Sequence, residues 1–171
     1  MAITTQAEHF LNSFYILERH DNELIRLRVE RARRHNAENP EDKVEEIGYA
    51  TDQQIGVADF VCLAFAVELY IKAVFEVIGR KQRGHNIRKL FEKLPEDAQT
   101  AIFNIHMKKY NYVTFDQYKE NMDIISNGFE EFRYFYEHQS LSYHKRFALE
   151  MIEAMKSFIA DERAKKRNSD P

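Results

Sequence analysis

The chain has one cysteine, no tryptophan, three prolines and five glycines in 171 residues. A single thiol, Cys62, excludes an internal disulfide, and its place inside the apolar run FVCLAFAV reads as packing and not as nucleophilic chemistry. So little glycine and proline leaves few tight turns, which argues against a sandwich or barrel and for a few long helices. Charge of one sign is not in excess either: the formal net charge is −3, so any binding to a polyanion needs a local patch. The sequence contains no glycine-rich phosphate loop, and its histidines show neither His-x3-His nor Glu-x2-His spacing. No metal and no cofactor are therefore expected.

Long uninterrupted apolar stretches are also missing. The run from Phe60 to Val67 is unbroken, but Glu68, Lys72 and Glu76 then enter at intervals of four. Each such charge costs roughly 2.5–3.5 kcal/mol at a bilayer centre, so no membrane association is expected. Residues 1–20 mix Glu8, His9, Glu18 and Arg19 with apolar positions, which suits an amphipathic helix better than a secretion signal. A cytoplasmic location is the expectation.

What is present is helical periodicity. Ala7, Phe10, Phe14, Leu17, Leu24 and Ala32 mark a first long helix to about His35, its second half rich in arginine from Arg26 to Arg34. Those arginines read as a solvated face. Residues 36–51, with Asn39-Pro40 and the acidic set Glu41, Asp42, Glu45 and Glu46, read as a loop. The 55–79 stretch, apolar nearly all round, reads as the central helix, with Gly79 suited to end it. Asn86 then caps a short helix with Ile87, Leu90, Phe91 and Leu94 inward, and Pro95 opens another that runs to about Tyr110. A seam of Phe115, Tyr118, Met122, Ile125, Phe129, Phe132 and Tyr136 follows, and a last helix spans 141–163 before a frayed basic tail at 164–171. The expectation is an all-α, single-domain, up-and-down bundle of five to six helices over residues 1–171.

Two constellations carry chemistry. Arg80, Arg83, His85 and Arg88 crowd the connection after the central helix and are candidates for contact with RNA or a nucleotide. In FEEFRYFYEH, Arg133 and His138 are the pair suited to ribonucleolytic cleavage: histidine moves the 2′-hydroxyl proton, and arginine holds the phosphate as its charge grows. Five helical residues turn the two side chains about 140° apart, so one phosphate is served only by an unwound helix end or by a second chain. The plainer reading pairs Arg133 with Glu137. Glu68, Lys72, Tyr134 and Glu137 are the candidates for a supporting polar network.

The segments FAVELYIKAVFEVIGRKQRGHNIRKLFEKL, Phe65 to Leu94, and FEEFRYFYEH together resemble the HEPN superfamily (higher eukaryotes and prokaryotes nucleotide-binding), whose members occur in bacterial toxins, phage-defence proteins and RNA-processing nucleases. The resemblance implies a helical domain and, from the family's Arg-x4–6-His motif, a metal-independent endoribonuclease acting as a homodimer through Arg133 and His138. Tyr134 stands where family nucleases often have a small polar residue, and Ser140 where toxins silenced by nucleotidyltransferase partners commonly have tyrosine. The expected function is accordingly a nucleotide- or RNA-associated binding or accessory module of a bacterial defence or toxin-type system, with a protein partner in view. Endoribonuclease is the alternative.

Overall fold

The computed structural model describes residues 2–46, 58–110, 114–132 and 144–169. Six helices account for most of them: α1 (Ile3–Glu38), α2 (Ala58–Val77), α3 (Ile87–Glu92), α4 (Glu96–Tyr110), α5 (Phe115–Phe132) and α6 (Lys145–Ser169), with no strand among the described residues. The all-α bundle expected from periodicity is the fold. None of these helices is long and apolar enough to cross a membrane.

α2 is central because it is apolar on every side but the narrow stripe of Glu68, Lys72 and Glu76. Leu63, Ala64, Ala66, Val67, Tyr70, Ile71, Ala73, Val74 and Phe75 are all buried, and α1, α3, α5 and α6 all pack on it. Its end is a Schellman motif: the Arg80 amide donates to the Phe75 carbonyl (2.8 Å), the Gly79 amide donates to that of Glu76 (3.0 Å), and Gly79 has φ +76°. A left-handed residue is needed at that position, and glycine takes it without steric cost. The cap throws Arg80 and the residues after it sharply off the helix axis.

Neighbouring directions follow from pairs along the helices. Phe10 stacks on Phe65 and Glu8 accepts from the Tyr70 hydroxyl, so α1 and α2 are antiparallel. Glu8 with Lys156 and Glu18 with Lys145 make α1 antiparallel to α6 as well. α4 runs parallel to α6, since His106 meets Glu150 and Lys109 meets Glu153. The alternation is thus interrupted between α2 and α4, where the short α3 intervenes. Asn86 caps α3 by accepting from the Lys89 amide (2.8 Å), and buried Ser126 of α5 accepts from the Ile87 amide (2.7 Å). Two of the helix's four orphan donors are satisfied in this way.

Two boundaries differ from the periodicity reading. α1 continues through Glu38, three residues into the expected loop, because Asn36 faces the chain beyond it: its amide exchanges hydrogen bonds with both polar groups of the Val44 backbone (2.9 and 2.8 Å). α6 continues to Ser169 across the expected tail. Ala, Lys and Arg are strong helix formers, Lys165 pairs with Glu162 (2.6 Å), and cations complement the negative end of the helix. In α5, Tyr118, Met122 and Ile125 of the expected seam are fully buried. The arginine-rich half of α1 is a solvated face where it is paired: Arg26 bridges Glu23 (2.5 Å) and Glu30 (2.6 Å), and Arg33 reaches Glu46 (2.9 Å).

Candidate functional site

Of the Glu68, Lys72, Glu76 ladder, the structure closes one rung. Lys72 Nζ lies 2.6 Å from Glu68 Oε1, the Glu68 side chain being 6% exposed and that of Lys72 17%. Glu76 is exposed. The second partner of Glu68 is His85, whose Nδ1 stands 3.2 and 3.4 Å from the two carboxylate oxygens. Gly84, with φ +122°, makes the turn that brings His85 back over α2, and its open surroundings leave backbone conformation as the reason for glycine there. An ionised carboxylate taken out of water needs partners, and two cation-capable groups on one carboxylate supply them.

Beside this cluster, along the C-terminal half of α2, lies an open groove of about 690 Å³. Lys72, Glu76, Arg80, Lys81 and Arg83 line it, with Ile3 of α1 on the far wall. Arg80, Lys81 and Arg83 are exposed and carry no ion pair with any described residue, so the groove has an excess of positive charge. The α2 cap is what creates it, because a continued helix would have spread these residues around its axis.

The sequence candidates therefore separate. Arg80 and Arg83 share the groove. Arg88 is engaged in a structural role, bonding Glu92 (2.9 Å) within α3 and Asp123 of α5. His85 belongs to the Glu68 cluster, a pairing that sequence spacing gave no means of finding because 17 residues separate the two. Arg133, Tyr134, Glu137 and His138 lie outside the described residues, as does any contact between them and Glu68 or Lys72.

A second buried polar group was not singled out by motif. His106 of α4 is wholly buried among the rings of Tyr110, Tyr118 and Phe147, with Glu150 Oε2 3.9 Å from its Nε2. Burial holds its imidazole below the ordinary value, outweighing the upward pull of Glu150. Since the folded state binds this proton less readily than the unfolded chain, the stabilisation is complete above about pH 6.5 and is lost as pH falls below it, by at most about 1.4 kcal/mol per pH unit. Urea unfolding between pH 6.5 and 5 is expected to show a steeper loss of stability for the wild type than for His106→Phe. Equal slopes for the two would remove His106 as the cause.

Comparison with known proteins finds a family that covers α2 and the connection after it. The family model of the HEPN domain matches residues 58–165, from the first residue of α2 into α6 and over more than half of the chain. No curated protein and no solved structure matches the chain. With the groove's cations, the capped central helix and the Gly84-His85 turn all inside the matched region, the chain belongs to the HEPN domain family.

Proposed function

We propose that this HEPN domain is a nucleotide- or RNA-associated binding module that takes phosphate groups in the groove of Lys72, Arg80, Lys81 and Arg83, as an accessory component of a bacterial defence or toxin-type system. The observation that carries the reading is the set of three exposed cations, Arg80, Lys81 and Arg83, held together with no ion pair to a described residue. A concave site in which cations outnumber carboxylates, Lys72, Arg80, Lys81 and Arg83 against Glu76, concentrates an anionic ligand there, and guanidinium groups match phosphate geometry.

The measurement is fluorescence polarisation of a labelled single-stranded RNA over a sodium chloride series. Each phosphate neutralised contributes about −0.7 to the slope of log K against log salt. Arg80→Ala/Arg83→Ala is expected to weaken binding at least tenfold and to flatten that slope by about 1.4, two contacts' worth, while leaving the unfolding midpoint in place. Wild-type protein that fails to bind RNA or a nucleoside triphosphate at low salt would end this reading.

The second reading, a homodimeric metal-independent endoribonuclease using Arg133 and His138, is supported by the Arg-x4-His spacing directly after α5 and by family membership. It requires cleavage that persists in chelator and disappears in both Arg133→Ala and His138→Ala.

A further inference from the structure

We propose that Glu76 makes the basic groove selective for guanine, so that its ligand is a guanine nucleotide, an inference that rests on the phosphate reading of the groove. Among the described residues that line it, Glu76 is the one carboxylate. It is exposed and has no ion pair with a described residue, because Lys72, one turn before it, is held by Glu68 at 2.6 Å. A free carboxylate beside phosphate-holding cations repels the phosphate it stands near. A ligand that seats its phosphates on Arg80, Lys81 and Arg83 therefore has to set a hydrogen-bond donor against Glu76, at some remove from those phosphates.

The α2 cap keeps the two positions apart. The Gly79 amide donates to the Glu76 carbonyl (3.0 Å) and the Arg80 amide to that of Phe75 (2.8 Å), so Arg80 and Glu76 hold a constant relation. Ile3 of α1 closes the far side with an apolar wall on which a flat ring packs. The volume, about 690 Å³, lies inside the range of roughly 300–1,000 Å³ for small-molecule sites. A nucleotide has the parts in this order: phosphates at one end, a ring with N–H donors at the other, a sugar between. The carboxylate then chooses among the bases, since it only accepts and does so through two oxygens. Guanine offers two neighbouring donors, N1–H and the N2 amino group, and meets both oxygens at once. Adenine and cytosine set one amino group beside a ring nitrogen that is itself an acceptor, and uracil sets one N–H between two carbonyls. Each of these turns a lone pair toward Glu76. A well-made bidentate contact to a base discriminates by about fivefold to a hundredfold.

The experiment is displacement of a labelled single-stranded RNA, followed by polarisation, by each of the four nucleoside triphosphates. GTP is expected to bind at least fivefold more tightly than ATP, CTP or UTP, and inosine triphosphate, which lacks the N2 amino group, to fall between GTP and ATP. In Glu76→Gln, an exposed change that keeps the fold, GTP is expected to drop to the level of ATP, while ATP binds as tightly as before or more so because the repelling charge is gone. A purely electrostatic role would instead tighten all four alike. Labelled oligouridylates with and without one internal guanosine separate the two sources of the base: a preference for the guanosine strand that Glu76→Gln abolishes assigns the site to RNA, and equal binding of the two strands assigns it to the free nucleotide. A GTP preference below fivefold in the wild type, or one that persists in Glu76→Gln, overturns this proposal and leaves the phosphate reading standing. Absence of binding to both RNA and nucleotides overturns both.

Discussion

Lys72→Met is expected to lose about 3–5 kcal/mol of unfolding free energy, the range for removing one partner of a buried ion pair. The magnitude follows from what is left behind. Glu68 stays in the apolar body of α2 with its carboxylate nearly inaccessible, and among the described residues only the exposed His85 remains to face it. Methionine fills the lysine stem's volume, so the loss reports charge and not a cavity. Replacing both residues, as Glu68→Gln/Lys72→Met, removes the uncompensated charge and is expected to recover a large part of the loss, giving a coupling of 1 kcal/mol or more in a double-mutant cycle, an order-of-magnitude figure for contacting pairs. Urea unfolding of the three variants is the measurement. A loss of only a few tenths for Lys72→Met would place the pair among surface ion pairs, which contribute about 0–1 kcal/mol.

Phe91→Ala is expected to cost about 3–5 kcal/mol, as large-to-small core changes at fully buried rings do. The ring has no exposed surface and packs on Tyr118 of α5, with centroids 5.7 Å apart. α3 has six residues, far below the length at which a helix is stable alone, so Ile87, Leu90 and Phe91 hold it in place by burial. Losing the largest of the three should release α3 and the turn that carries His85. Arg88→Ala, which removes only partly exposed ion pairs of the same helix, should cost under about 1 kcal/mol. Comparable midpoints for the two variants in urea would show that α3 is held by charge instead of packing.

The helices were legible in the sequence because their signals are local. The 3.6-residue period of α5, the Asn86 cap of α3, Pro95 before α4 and Gly79 after α2 each act within a few residues, so each is written where it is used. The centrality of α2 was also legible, because a helix apolar nearly all round has no stable surface position. Even the groove's cations were visible as a basic connection.

Which of those cations are open to a ligand depends instead on how the helices pack. Arg88 lies in the same basic run as Arg80 and Arg83, yet Asp123, 35 residues away, occupies it. His85 likewise finds Glu68 across a turn, and Tyr70 finds Glu8 over 62 residues. Such pairings depend on which helix faces lie against each other, and the energies that select among packings are sums over many weak contacts that leave no mark at a fixed spacing. The ends of α1 and α6 show the same thing on a smaller scale: composition marked residues 36–38 and 164–169 as polar, and the Asn36–Val44 and Glu162–Lys165 contacts made them helix.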